Sequence, residues 1–379
     1  MTTPANDDGK DVQDIMPETS ETPDAGAAAA KRGPAVATRE RRQGATNPSG
    51  ETPYLVVEDL VVKFPTADGV VSAVNGLSYS VPLGRTLAIV GESGSGKSVS
   101  SMAVMGLHDR KRTRITGSIR LGGDELIGLP ENDLMKVRGD AVSMVFQDPQ
   151  SSLHPLYTIG NQLVEAYRVH HKVSKEVAKK RALEMLDLVG IPNPQRRFGQ
   201  YPHEFSGGMR QRAMIAMSLI NDPKLVIADE PTTALDVTVQ AQILRLLATL
   251  KRELGLSILL ITHDLGIVAR VADRVSVMYA GEVVERAPTA ELFRAPQHPY
   301  TRGLLSCVPV PGKVRRDRPL GSIPGGVPRI APGFAGCAFR SRCAHANATC
   351  ELVIPRRQAG AAHDYLCRLA PQLAEPQPA

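Results

Sequence analysis

The feature that most constrains this chain is the segment Gly91–Ser98, which reads GESGSGKS. Its glycines permit a tight loop whose backbone N–H groups surround phosphate oxygens, while Lys97 adds a positive charge and the Ser98 hydroxyl can bind Mg²⁺. The apolar run Thr86–Val90 reads as a buried strand, and the segment after the loop can begin a helix whose N-terminus faces the anion. A glycine-rich turn without a ligand fits the pattern but not this strand–loop–helix setting. The predicted phosphate-binding residues are Gly91, Glu92, Ser93, Gly94, Ser95, Gly96, Lys97 and Ser98.

A second apolar strand, Leu225–Asp229, ends in two adjacent carboxylates, Asp229 and Glu230. Parallel strands deliver their carboxyl ends to one crevice, so we expect both acids to lie beside the phosphate loop. An ordinary buried strand with acids at its exposed end would explain the charges but not the adjacent Pro231.

Four further elements accompany the loop and the two acids in a fixed order along the chain. They are Gln147 after the strand Val142–Phe146, FSGGMRQR at Phe205–Arg212, ALD at Ala234–Asp236, and His263 after the strand Ser257–Thr262. The ordered set, over about residues 54–290, resembles the nucleotide-binding subunits of ABC (ATP-binding cassette) transporters. The resemblance implies an α/β fold, a P-loop ATPase cassette with a mixed sheet core and a helical subdomain at about residues 148–222, which hydrolyses ATP with Mg²⁺.

The resemblance also implies roles for individual residues. Glu230 would polarise the attacking water, His263 would contact the γ-phosphate and the water, and Gln147 would bind both metal and water. Ser98, Gln147 and Asp229 would hold Mg²⁺. Read alone, Gln147 is equally well a solvated loop residue and His263 a core histidine.

The segment Ser206–Met209, which precedes the strand Leu225–Asp229, is predicted to begin a helix and contains two glycines. Two glycines let a phosphate approach a helix N-terminus, where unpaired N–H groups and the dipole favour an anion. In the family this segment closes over ATP held by the opposite subunit, whereas by itself it reads as a helix with a serine cap. The family's common LSGGQ is FSGGM here, which removes a hydrogen-bonding side chain. The residues predicted to contact the partner's ATP are Ser206, Gly207, Gly208 and Met209.

Two more residues take roles from the resemblance. Asp236 would cross the dimer interface and link the two ATP sites. Phe64, at the end of a strand beginning at Leu55, would stack on adenine; the alternative is a core phenylalanine at a strand end.

The interval between Gln147 and Ser206 has a helical pattern. Ser174 is a good N-cap candidate, and Gly190 followed by Pro192 marks a helix end. In the family this lobe docks the cytoplasmic helices of the permease. Its predicted apolar face comprises Val177, Ala178, Leu183, Met185, Leu186 and Val189.

The N-terminal residues 1–53 are rich in Ala, Pro, Gly, Thr and charge, so we predict a disordered tail. Gly26–Ala30 is too short and weakly apolar for a secretory signal. No apolar run approaches the ~18 residues needed to span a bilayer, so the membrane must be reached through a partner. The net charge of +6 includes a basic cluster, Arg110–Arg114, but no aromatic residues interleave with it, and we predict no nucleic-acid partner.

The C-terminal extension, residues 291–379, indicates which class of substrate is transported. Ala295–Leu305, APQHPYTRGLL, resembles the extension of oligopeptide- and dipeptide-importer ATPases, and Thr232–Gln240 also resembles this subfamily. The resemblance implies import of peptides, with nickel or another small solute as the alternative. It implies two transmembrane permease subunits, a second, homologous ATPase subunit in a heterodimer, an extracytoplasmic substrate-binding protein, and a peripheral position on the cytoplasmic face of the inner or plasma membrane.

Four of the five cysteines lie in this extension. Clustered cysteines in a reducing compartment seldom form disulfides, while zinc and [4Fe–4S] clusters both accept four thiolates. The short C-x2–4-C knuckles of structural zinc sites are absent, so we predict a [4Fe–4S] cluster, with Zn²⁺ and unliganded thiols as alternatives. The predicted ligands are Cys337, Cys343, Cys350 and Cys367, while Cys307 is predicted to be a small buried side chain.

Two other classes of cassette ATPase fit less well. A DNA-repair clamp would need a long coiled coil between Gln147 and Ser206, and that interval is too short. A ribosome-binding or regulatory protein would carry two cassettes, whereas the sequence contains one set of motifs.

Overall fold

The computed structural model describes residues 52–67, 69–233, 235–308, 321–328, 330 and 334–368. All of them fall in one compact unit, residues 44–379. Residues 1–51 of the predicted tail lie outside the described residues, as do Ala234 and the segment 309–320.

The described residues form strands and helices over most of the cassette. The strands are β1 (Pro53–Thr66), β2 (Gly69–Pro82), β3 (Thr86–Val90), β4 (Arg114–Leu121), β5 (Asp124–Glu125), β6 (Val142–Val145), β7 (Leu225–Asp229), β8 (Ser257–Thr262), β9 (Arg274–Tyr279), β10 (Glu282–Pro288), β11 (Arg356–Gly360) and β12 (His363–Leu366). The helices are α1 (Lys97–Val104), α2 (Glu131–Val137), α3 (Pro149–Ser152), α4 (Ile159–His170), α5 (Lys175–Leu188), α6 (Pro194–Arg197), α7 (Gly207–Leu219), α8 (Val237–Leu254), α9 (Leu265–Val271), α10 (Thr289–Arg294) and α11 (Pro299–Ser306), with 3₁₀ turns at Pro202–Glu204, Arg340–Arg342 and Ala348–Glu351.

The larger sheet has the strand order β11-β12-β10-β9-β3-β8-β7-β6. Strands β9, β3, β8, β7 and β6 are parallel, and β10, β12 and β11 continue the sheet antiparallel. Every residue of β3, β7 and β8 is buried, as expected for parallel strands covered on both faces. Because these strands are adjacent, the segments that follow their carboxyl ends meet at one edge.

A smaller antiparallel sheet, β2-β1-β4-β5, packs against the same core. Strand β1 buries Leu55, Val57, Leu60 and Val62. Its alternation is interrupted between Val57 and Leu60 by a register shift, where Asp59 takes a positive φ of 47°. This bulge lets two stretches of one strand bury the same face.

Helices α3 to α7 lie between β6 and β7 in sequence, and α4, α5 and α7 contribute to a second apolar core. The predicted cap is confirmed, since the Ser174 side chain accepts a hydrogen bond from the Val177 amide at the start of α5. Gly190 lies just beyond the end of α5 with φ +73°, in the left-handed conformation that glycine favours. Of the predicted apolar face, Ala178, Met185, Leu186 and Val189 are buried, whereas Val177, in the first turn of α5, is 52% exposed.

The C-terminal extension joins the edge of the larger sheet through β12, which pairs with β10. The buried Glu285 carboxylate of β10 accepts hydrogen bonds from the backbone amides of Gln297 and His298, and the His363 imidazole lies 2.7 Å from it. This carboxylate therefore joins the start of α11 and the start of β12 to strand β10. No helix within the described residues is long and apolar enough to cross a membrane.

Candidate functional site

The loop Gly91–Ser98 leaves the carboxyl end of β3 and enters α1 at Lys97. Two of its glycines cannot be replaced without moving backbone. A Cβ on Gly91 would lie 2.2 Å from the Met278 carbonyl oxygen, and one on Gly96, whose φ is +99°, would lie 2.3 Å from that of Ala73. The loop is therefore wedged between β9 and β2, which fixes its path.

Lys97 is buried inside this loop at 5% exposure. Its ammonium donates to the carbonyl oxygens of Gly91, at 2.8 Å, and Glu92, at 3.0 Å. Burial lowers the pKa of Lys97, and the carboxylates of Glu230, Asp229 and Glu92 oppose that shift. The arrangement holds a positive charge where a phosphate group would enter the loop.

Ser98 and Asp229 meet beside the lysine. The Ser98 hydroxyl donates to the Asp229 carboxylate over 3.0 Å. Burial raises the pKa of Asp229, and the hydrogen bond from Ser98 works in the opposite direction. A hydroxyl and a carboxylate oxygen side by side are the hard ligands that Mg²⁺ prefers, so these two residues fit the predicted metal site.

Three other side chains contact the Glu230 carboxylate. Its Oε2 accepts from the Thr233 hydroxyl at 2.9 Å and from the Gln147 amide at 3.3 Å, and His263 Nδ1 lies 3.4 Å away. The backbone at Glu230 has φ 46°, a left-handed conformation that is unusual for a residue other than glycine, and its amide donates to the Ile261 carbonyl of β8. The structure thus brings the three predicted catalytic residues together, and it adds Thr233.

The second group of predicted residues lies at the start of α7. Ser206 caps this helix by accepting from the Met209 amide at 3.3 Å, while the Met209 side chain packs against the helical core. A Cβ on Gly207 would lie 3.7 Å from Leu235, and one on Gly208 would lie 2.9 Å from Val239 of α8.

Asp236 caps the neighbouring helix α8 by accepting from the Val239 amide at 2.9 Å.

Gln211 of α7 connects the start of this helix with the Glu230 cluster. Its buried side-chain amide donates to the carbonyl oxygen of Pro231, the residue after Glu230. Gln211 lies within the motif FSGGMRQR, but no pattern in the sequence predicts this contact.

Phe64 lies inside β1 rather than beyond its end, and its ring meets His108 edge-on at 5.6 Å between centroids. It is partly buried against the core of the smaller sheet. Adenine stacking at Phe64 stays a prediction.

The extension contributes two residues to the phosphate loop that sequence reasoning missed. The Tyr300 hydroxyl accepts from the Glu92 amide at 2.9 Å, and the Arg342 guanidinium contacts both carboxylate oxygens of Glu92 at 3.0 and 3.1 Å. Tyr300 belongs to the HPY segment singled out above, but nothing in that segment points to the loop 208 residues earlier.

The four cysteines of the extension line one small cavity, together with His298, Phe339 and other residues. Burial raises the pKa of Cys337 to about 11, with the thiols of Cys367, Cys350 and Cys343 adding to the shift. Within the described residues, no group of three or more His, Cys, Asp or Glu side chains is arranged to hold a single metal ion. The thiols therefore converge on one space without forming the closed tetrahedron of a zinc site.

Cys307, at the C-terminal end of α11, is half-buried, and its thiol lies 3.2 Å from the Gly303 carbonyl. It is not among the cavity-lining residues.

Comparison with known proteins gives matches for the cassette and for the extension. Residues 74–233 match the ABC transporter family, and residues 284–350 match the C-terminal region of oligopeptide/dipeptide transporters. The oligopeptide transport ATP-binding protein OppD of Bacillus subtilis is 51% identical over 296 residues, which cover 78% of this chain and 82% of OppD. A putative peptide import ATP-binding protein of Brucella abortus is 49% identical over 298 residues, 79% of this chain and 89% of that protein.

Among solved structures, the ATP-binding cassette MJ0796, in a dimeric post-hydrolysis state with ADP and Pi, has a TM-score of 0.56 and 27% identity, covering 62% of this chain and 98% of that one. The cassette cbiO1 of Clostridium perfringens has a TM-score of 0.55 and 29% identity, covering 64% of this chain and 91% of that one.

Proposed function

The chain belongs to the ABC transporter family as the ATP-hydrolysing subunit of a peptide importer, and from this premise we propose how its residues work. The peptide assignment is carried by the extension, because residues 284–350 match the C-terminal region of oligopeptide/dipeptide transporters. The roles of individual residues are carried by one observation, the convergence of Gln147, Thr233 and His263 on the carboxylate of Glu230.

Phosphate binding falls to the loop Gly91–Ser98. Its backbone encloses the β- and γ-phosphates of the substrate, and Lys97 contributes the charge that offsets theirs. Ser98 and Asp229 would hold Mg²⁺, with Gln147 as a further ligand, and the bound ion would neutralise charge on the phosphates.

Hydrolysis falls to Glu230. Its carboxylate orients the attacking water for in-line attack on the γ-phosphate, while His263 and Gln147 hold the carboxylate and contact the water. Thr233 donates to the same carboxylate oxygen and limits its rotation. The segment Ser206–Met209 closes over ATP held by a second cassette, and Asp236 lies at that interface.

The substitution Glu230→Gln tests this assignment. It keeps the size of the side chain but removes the carboxylate, so ATP binding should persist while phosphate release falls by roughly two orders of magnitude. Cells that carry only this variant should fail to take up peptide. The exposed Glu253 of α8 provides a control, and Glu253→Gln should hydrolyse ATP and import normally. Turnover like that of the wild type would contradict the catalytic role, whereas lost turnover with normal peptide uptake would contradict the importer assignment.

We propose that the protein works on the cytoplasmic face of the inner or plasma membrane with two permease subunits, a second, homologous ATPase and an extracytoplasmic substrate-binding protein. The helices between β6 and β7 are the proposed docking site for the permease. The tagged chain, extracted from membranes in mild detergent, should bring down the permease subunits and the second ATPase in equal amounts. Recovery with ribosomes or DNA and without membrane partners would contradict this assembly.

We also propose that Cys337, Cys343, Cys350 and Cys367 hold one [4Fe–4S] cluster. The support is the convergence of all four thiols on one cavity and the hydrogen bond from the Cys337 amide to the Cys350 carbonyl, which ties two of the ligands together. A cluster places its cysteine sulfurs on separate irons, so it suits thiols that surround a common space without closing on one ion. Zn²⁺ is the alternative occupant. The role is structural, because import of a solute requires no electron transfer.

A further inference from the structure

Glu92, the second residue of the phosphate loop, is held on both its backbone and its side chain by the C-terminal extension. Its amide donates to the Tyr300 hydroxyl at 2.9 Å, and its two carboxylate oxygens lie 3.1 and 3.0 Å from Nη1 of Arg342. Tyr300 lies 208 residues after Glu92 in the sequence, and Arg342 lies 250 residues after it. They fix the loop at the residue where it leaves β3.

Arg342 is itself fixed by the structure around it. Its side chain is 5% exposed, and the remaining nitrogens donate to the carbonyl oxygens of Pro324, at 2.7 Å, and Ile323, at 3.2 Å. Nη1 also lies 3.3 Å from the Tyr279 hydroxyl. A buried guanidinium with this many fixed partners cannot follow a moving carboxylate, so it sets the position of Glu92 rather than the reverse.

The charge of Glu92 is the reason this contact concerns ATP. Its carboxylate is one of the three that act on Lys97, so it lies within the electrostatic field of the phosphate site. An uncompensated carboxylate at the rim of that loop would repel the substrate's phosphates. The Arg342 guanidinium cancels this charge at short range; the Arg342 side chain is 5% exposed and that of Glu92 is 29% exposed.

We propose that Tyr300 and Arg342 are positioning residues for ATP, which lock the phosphate loop through Glu92 and neutralise its carboxylate. The inference rests on the proposed role of Gly91–Ser98 in ATP binding. The C-terminal extension is then part of the ATP site as well as an appendage of the sheet. Arg342 directly precedes Cys343 in the sequence. The conformation of the cysteine segment therefore affects the position of the guanidinium that contacts Glu92 of the loop.

The test measures the dissociation constant of Mg·ATP by calorimetry on the purified full-length chain. Arg342→Gln should weaken ATP binding about tenfold and raise KM, with kcat changed less than twofold, because the Glu230 cluster is untouched. The double variant Glu92→Gln/Arg342→Gln should recover to within about threefold of the wild type, since the orphaned carboxylate is gone. Arg340→Gln is the control; Arg340 lies in the same short helix, but its guanidinium bonds the Ala335 carbonyl and lies over Phe334.

Tyr300→Phe gives a second, milder variant that keeps the ring and removes only the acceptor of the Glu92 amide. It should weaken ATP binding about threefold at an unchanged melting temperature. An unchanged affinity in Arg342→Gln would overturn the proposal, as would a double variant no better than the single one, because then the charge of Glu92 does not matter. Lys97→Ala distinguishes failure of the proposed ATP site from failure of the positioning roles. If Lys97→Ala leaves the ATP affinity unchanged, the loop is not the ATP site. If Lys97→Ala weakens ATP binding but the Tyr300 and Arg342 variants do not, only the roles of Tyr300 and Arg342 fail.

Discussion

Lys97 is a buried cation whose ammonium is held by two carbonyl oxygens of its own loop, Gly91 and Glu92. Burial lowers its pKa because the charged form loses its hydration, and three nearby carboxylates work against that shift. Because the ammonium is already desolvated and ordered, binding of a phosphate requires little further desolvation or loss of side-chain entropy. Its interaction with phosphate is therefore strong.

Removal of this charge gives the first prediction at the residue scale. Lys97→Ala should weaken ATP binding about 10- to 100-fold, because hydrogen bonds to charged groups contribute about 1.5–3 kcal/mol. Calorimetric titration of the purified chain would measure the change. Lys136→Ala is the matched control, since Lys136 is an exposed lysine that pairs with Asp133 on α2. If both variants bind ATP equally well, the loop does not use Lys97 as proposed.

At the residue scale, the resemblance assigned Gln147 and His263 to the site, and their catalytic roles stay predictions. The structure places each within 3.4 Å of the Glu230 carboxylate, because β6, β7 and β8 are neighbours and all three residues follow their carboxyl ends. The positive φ of Glu230 could not be predicted, because no glycine marks it. Conformations of this kind cost about 1–3 kcal/mol and persist where the surrounding structure enforces them, here through the bond from the Glu230 amide to Ile261.

At the scale of elements, the start of α7 lies against α8. Gly208 faces Val239 closely enough that a Cβ would lie 2.9 Å from a valine methyl, so the glycine sets the approach of these two helices. The same region carries Asp236, which caps α8. A change at Gly208 therefore displaces the proposed partner-facing surface while leaving the phosphate loop intact.

Gly208→Ala should keep the ATP affinity of the isolated chain and lower the ATP turnover of the assembled importer about tenfold. The physical reason is that the added methyl moves the start of α7 away from the position that closes over the second cassette's ATP. Gly199→Ala is the control, because a Cβ there has no neighbour within 4 Å and φ is not positive. Equal turnover in the two variants would show that this helix start does not take part in hydrolysis.

Elements with a strong apolar pattern could be read from the sequence. The predicted strands Thr86–Val90 and Ser257–Thr262 agree with β3 and β8 residue for residue, since strands buried on both faces are continuous apolar runs. Strand β12 could not be predicted. Its four residues include His363 and Asp364, which are buried only because Glu285 and two arginines of the structure pair with them. Long-range ionic partners of this kind leave no local pattern.

At the scale of the whole molecule, the extension is held by polar contacts as well as by an apolar core. It joins the sheet through β12, Glu285 and the ion pairs of Asp364, and it reaches the phosphate loop through Tyr300 and Arg342. Its first part also joins an apolar core, in which Leu292, Tyr300 and Ile330 are buried. Within residues 334–368, by contrast, the large buried apolar side chains are Phe339 and Tyr365 alone. A segment with so little core gains stability from a covalent or metal cross-link, which is the structural reason to propose that the cysteines are occupied.

The cluster gives the last prediction. Protein purified without oxygen should be brown and contain about four irons per chain. Changing any one of Cys337, Cys343, Cys350 or Cys367 to Ser should bleach the colour and make the extension more sensitive to protease. Cys307→Ser is the matched control, because that thiol lies outside the cavity, and it should retain both iron and protease resistance.

Metal content decides between the occupants. Stoichiometric zinc without iron would replace the cluster with a zinc site, and its binding would have to draw the four thiols inward onto one ion. Protein without metal, and equally stable with Ser at Cys343, would contradict both. Iron loss should also weaken ATP binding, because Cys343 anchors the short helix from which Arg342 reaches Glu92. A bleached Cys343→Ser protein with the ATP affinity of the wild type would separate the cluster from the ATP site and limit its role to the extension itself.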